Sequence, residues 1–91
     1  MANTASAKKR IRSSAKKKDR NRIYRSAART YVKQTRLMIE KGEIAEAEAW
    51  AGMAVKTLDK AAAKGILHQR NVDRRKSRLM KAVYAAKEAS A

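Results

Sequence analysis

Large apolar side chains are sparse along this chain, and where they occur they recur every three or four residues rather than every second one. Tyr24, Ala28, Tyr31, Val32, Thr35, Met38 and Ile39 fall on one stripe, which predicts a buried helical face over residues 23–41. Ile44, Ala47, Ala51, Ala54, Val55, Leu58 and Ala62 repeat the pattern and predict a second helix over 43–64. A third stripe, Val72, Leu79, Val83 and Ala86 with Met80 beside it, predicts a helix over 68–88 that turns Arg74, Arg78 and Lys81 to another face. Gly42 and Gly65 stand in the gaps, where left-handed glycine caps end helices. Links this short make neighbouring helices antiparallel. The pattern therefore predicts an all-α fold, a single domain over residues 1–91 built as an antiparallel three-helix bundle with an extended basic N-terminal helix.

Upstream of Ile23 the stripe fails. Ile11 is the one large apolar residue there after Met1, while Lys8 to Arg22 carries nine Lys or Arg that repel one another. Residues 1–22 thus read as a basic arm, frayed when the protein is alone. If a partner made it helical, residues 8–41 would form a rod of about 50 Å.

Composition sharpens this picture. The chain has 91 residues, 24 Lys+Arg against 8 Asp+Glu, and a net charge of +16. Something polyanionic must neutralise it. Charge is also segregated: residues 1–41 carry a net +12, residues 42–63 a net −2, and residues 64–91 a net +6. Of the hydrophobic residues, 19 are alanine, so the core is thin. With no cysteine, one histidine and no glycine-rich phosphate loop, the sequence offers no catalytic constellation, no metal site, no cofactor and no small-molecule substrate. Glu43, Glu46 and Glu48 crowd one helix start, where acids complement the helix dipole. The uncharged run Ala49–Val55 is far shorter than the roughly 20 residues of a membrane span. No apolar stretch follows the basic N-terminus, which argues against a secretory signal, and the run of basic character into the helical pattern argues against a transit peptide.

The cationic side chains are the candidate chemistry. Lys8, Lys9, Arg10, Arg12, Lys16, Lys17, Lys18 and Arg20 are so closely spaced that every side of a helix presents several, which suits a cleft lined by phosphates. Arg22, Arg25 and Arg29 share helical spacing in the packed half of the first helix and are the best candidates for ordered contacts, with Lys33 one turn on. Lys64, Arg70, Arg74, Arg75 and Arg78 supply a second basic area. His68 reads either as a cap or surface residue at the start of the third helix, or as a contact to nucleic acid. Of the aromatic residues, Tyr24 and Tyr31 sit at core spacing and Trp50 beside the alanine stripe, so base-specific readout is minor and backbone contacts dominate. Net charge alone leaves open a DNA-compacting, histone-like role. A membrane-surface helix is disfavoured because residues 8–22 lack a continuous apolar face.

Several stretches carry a resemblance. Ser6-Ala7-Lys8-Lys9-Arg10, Arg25-Ser26 with Arg29-Thr30, Ala62-Ala63-Lys64-Gly65-Ile66-Leu67-His68, and Arg74 with Lys76-Ser77-Arg78-Leu79 occur in the order found in the S-twenty family of bacterial small-subunit ribosomal proteins. The chain resembles that family over essentially its whole length, and departs from it at Arg70, where Asn is usual, and at Asp73. The resemblance implies a three-helix protein that binds 16S ribosomal RNA directly, near the 5′ domain and the base of the 3′ minor-domain helix, beside other small-subunit components. It also implies a role in subunit assembly on ribosomes of the bacterial cytoplasm or of a plastid stroma.

Overall fold

Two glycine turns divide the chain into three helices, and the computed structural model describes residues 5–90. Helix α1 spans Ala5–Lys41, α2 spans Ile44–Ala63 and α3 spans Gln69–Ala89. Gly42 and Gly65 adopt φ of 78° and 73°, the left-handed region that a side chain disfavours. Each closes a Schellman motif. At the first turn the Glu43 amide donates to the Met38 carbonyl at 2.9 Å and the Gly42 amide to Ile39 at 3.1 Å. At the second the Ile66 amide donates to Ala61 at 2.8 Å and the Gly65 amide to Ala62 at 3.0 Å.

The core is built largely from alanine. Ala28 of α1 meets Leu58 of α2 and Val72 of α3 in one cluster, with Leu67 and Ala62 at its margin. Ala51, Ala54, Leu79 and Val83 form another, covered by Tyr31, Val32 and Ile39. Small side chains let the helices approach closely, and α1 packs mainly on α2. Thr35 is fully buried, its hydroxyl donating to the Tyr31 carbonyl one turn back at 2.8 Å. Trp50 and Tyr31 pack ring against ring at 5.9 Å between centroids. Ile66 is buried although it lies in a turn, because the Schellman geometry folds it back over the α2 terminus.

The arm departs from the sequence expectation. Residues 8–22 are helical rather than frayed, although the side chains of Lys8 to Arg20 are all exposed. The physical reason is continuity. No glycine or proline interrupts α1, its Ala, Lys and Arg content favours helix, and the packed half supplies the nucleus from which each added residue gains a hydrogen bond. The first four residues of the arm lie outside the described residues. At 37 residues α1 is about 55 Å long and overshoots α2 by about 25 Å. The radius of gyration is accordingly 17.7 Å, against about 12 Å for a compact chain of this length.

Candidate RNA interface

The antiparallel arrangement decides where charge goes. Two of the α2 acids are engaged by lysines of α3: Lys76 Nζ lies 2.8 Å from Asp59, and Lys87 Nζ lies 2.8 Å from Glu48. Hydrogen bonding to these carboxylates raises both ammonium pKa values above the ordinary 10.5. Glu43 occupies the cap of α2 without a side-chain capping bond, and a hydrogen bond shared with it raises the Glu46 carboxyl above 4.5. Asp59 and Glu48 of α2 therefore face α3, and cations gather on another flank of the bundle.

That flank is a groove between α1 and α3. Arg25, Arg29 and Arg36 project from α1 along one stripe, and Arg75 and Arg78 face them from α3. Val32, Leu67 and Leu79 form its floor. The groove encloses about 370 Å³. Among the described residues, no carboxylate forms an ion pair with any of the five arginines. Arg25 is held in place: its Nη2 donates to the Ile66 carbonyl at 3.2 Å, tying α1 to the second turn. Arg22 makes only an exposed contact with Asp19 at 3.6 Å. Lys17, Lys18 and Arg22 line a depression that continues the arginine stripe of Arg25 and Arg29 onto the overhang.

The other candidate residues are placed as follows. Lys8, Lys9, Arg10, Arg12, Lys16 and Arg20 are displayed around the free rod, and Lys33 is exposed on the packed half of α1. Lys64 sits over the Tyr24 ring at 5.8 Å, a cation–π contact that fixes the end of α2. His68 caps α3, its Nδ1 accepting from the Arg70 amide at 3.2 Å. Arg70 and Arg74 are exposed but do not line the groove, and Asp73 accepts from Gln69 Nε2 at 2.8 Å. Arg36 was absent from the sequence candidates; its spacing of seven residues from Arg29 was the available signal. Tyr84 is the most exposed aromatic and lines a different depression, between α2 and α3. Among the described residues no three His, Asp or Glu side chains gather as metal ligands do, and no helix is long and apolar enough to cross a membrane.

The fold and its sorted charge define a small, all-helical, strongly basic protein that displays cations on a rod and along one side of a bundle. Its sequence matches the family model described as Ribosomal protein S20 over residues 2–84. It is 49% identical over 81 residues to the small ribosomal subunit protein bS20 of Thermomicrobium roseum, covering 89% of this chain and 82% of that one. The bS20 of Anaeromyxobacter dehalogenans is 47% identical over 91 residues, covering 100% and 97% of the two chains, and that of Nitrosomonas europaea 45% over 85 residues, covering 93% and 98%. The chain belongs to the ribosomal protein S20 family, whose members are structural components of the small subunit rather than enzymes, with RNA binding as their general role.

Proposed function

We propose that this chain binds 16S ribosomal RNA directly, at the 5′ domain and the base of the 3′ minor-domain helix, and supports subunit assembly by neutralising phosphates and bridging RNA helices. The observation that carries the reading is the placement of charge. The α1 overhang extends beyond the end of α2 and presents exposed Lys and Arg on all sides, which fits a cleft between RNA backbones. The groove arginines then grip a further backbone segment at the bundle end. Inserting the rod offsets the repulsion between phosphates that would otherwise keep RNA helices apart. The bundle fixes the angle of the rod. The relatives named above are bacterial, which supports the ribosome of the bacterial cytoplasm as the place of action over a plastid stroma.

The test is the affinity of the full chain for a small-subunit transcript, measured across a potassium chloride series beside duplex DNA of equal length. The proposal expects a steep fall of log affinity with log salt and tighter binding to the transcript. Equal binding to both would favour the DNA-compacting role, and binding to the transcript that is as weak in dilute buffer as in concentrated salt would overturn the proposal.

A further inference from the structure

The chemistry of the groove differs from that of the rod. The rod mixes Lys with Arg, whereas the five cations of the groove are all arginine, arranged in two rows across an apolar floor. A duplex backbone needs only charge and presents nothing to cover Val32 and Leu67, both half-buried. A guanidinium is planar and stacks on a base face while its N–H groups still reach phosphate, which an ammonium cannot do. The space of about 370 Å³ lies at the lower end of the range of about 300–1,000 Å³ seen for small-molecule pockets, and no RNA helix can enter it. Arg25 and the second turn are tied together by the bond to the Ile66 carbonyl, so one wall residue is held in place before any ligand arrives.

From these observations we infer that the arginine groove between α1 and α3 holds one unpaired, looped-out nucleotide of the bound RNA. Its base lies against Val32 and Leu67 between the two rows of guanidinium groups, and its phosphates meet the outer N–H donors. This inference rests on the RNA-binding reading above and names the part of the RNA that this site takes. Unstacked bases are the usual handle by which proteins recognise RNA, since the deep groove of an RNA duplex hides its base edges.

The experiment uses the full chain with two probes, a fully paired RNA hairpin and the same hairpin carrying a single bulged 2-aminopurine. The bulged hairpin is expected to bind at least about fivefold tighter, the contribution of one base stacked on a guanidinium, with a change in 2-aminopurine fluorescence on binding. Arg75→Lys with Arg78→Lys keeps both charges on an exposed surface and removes the planar groups. This pair should abolish the preference by weakening the bulged hairpin more than the paired one, with the salt dependence of both kept because the charges remain. Lys16→Gln with Lys17→Gln should weaken both hairpins alike, and circular dichroism reports whether each variant retains its helices. Equal, salt-dependent binding of both hairpins by the parent chain would overturn the inference and leave the RNA-binding reading standing. A preference that survives both arginine replacements would also overturn it, because the nucleotide would then sit elsewhere. Binding of neither hairpin would overturn both readings.

Discussion

Replacing Arg22, Arg25 and Arg29 together by alanine tests whether the stripe on α1 meets phosphate. Each phosphate contact adds about 0.7 to 0.9 to the slope of log affinity against log salt, so losing three flattens it by about 2–3 units. The three changes are not equivalent in the free protein. Arg22 contacts Asp19 at 3.6 Å with both side chains largely exposed, a pair that contributes little to stability. Arg29 forms no ion pair among the described residues. Arg25 donates to the part-buried Ile66 carbonyl, and removing a charged donor of that kind costs about 1–3 kcal/mol. For a domain of this size that lowers Tm by about 4–8 °C per kcal/mol. The double variant Arg22→Ala/Arg29→Ala should therefore flatten the slope by about 1.4–1.8 units with no loss of Tm. Adding Arg25→Ala should flatten it further and bring the thermal cost. Fluorescence anisotropy over a potassium chloride series gives the slope, and circular dichroism melts give the Tm. A triple variant whose slope equals that of the parent chain would refute the contact assignment, and an unchanged Tm would refute the structural role of Arg25.

Three further outcomes follow from the fold. Leu58→Ala removes a fully buried side chain where all three helices meet, and its cost of about 2–5 kcal/mol is comparable with the whole stability of a small domain, so urea titration should find the variant mostly unfolded in dilute urea. Gly65→Ala forces a side chain into the left-handed region at a cost of about 1–2 kcal/mol, whereas Gly52→Ala, inside α2 with open space around it, should stabilise by about 0.5–1 kcal/mol; opposite shifts in Tm check both. Because the folded-state pKa of Glu46 is raised by its hydrogen bond with Glu43, the stability it contributes is present below its ordinary 4.5 and lost as pH rises through the folded value. The difference in Tm between Glu46→Gln and the parent should consequently grow in favour of the variant as pH rises above 4.5.

Much of this architecture is legible in the sequence because its signals are local. The stripes through Ala28, Leu58 and Leu79 repeat at the helical period, and the ends of α1 and α2 are marked by glycine, the residue type that best accepts the left-handed conformation. Burial of Ile66 is not legible in this way, since it depends on how a turn folds back rather than on periodicity. The helix of the arm is not legible from its charge repulsion alone, because a packed neighbouring segment helps propagation. At the site, the candidate cations could be named one by one, but Arg25 and Arg78 lie far apart in sequence and only the packing of α3 beside α1 brings them to the same groove. The sequence suggests two separate basic areas. The fold brings Arg75 and Arg78 of the second area against the first, while Arg70 and Arg74 stay outside the groove.

Net charge would not distinguish this chain from any other polycation; the orientation of α3 does. Successive residues on a helix are rotated by about 100°, so Lys76 and its neighbour Arg75 cannot face the same way. With Lys76 drawn toward Asp59 of α2, Arg75 is left to face α1, and the second pair, Lys87 with Glu48, sets the same rotation about three turns further on. Exposed ion pairs of this kind add little to stability, and their value here is angular. Exchanging the charges in both pairs, as Asp59→Lys with Lys76→Asp and Glu48→Lys with Lys87→Glu, should keep the rotation of α3 and the RNA affinity. Breaking them by Asp59→Lys and Glu48→Lys alone adds positive charge to the chain and would by simple electrostatics strengthen binding to RNA. If the arginine groove depends on the rotation of α3, the broken pairs should instead weaken the preference for a bulged over a paired hairpin, even as overall affinity in dilute salt rises. An undiminished preference in that variant would show that the hydrophobic contacts of Val72, Leu79 and Val83 fix the helix without help from the ion pairs.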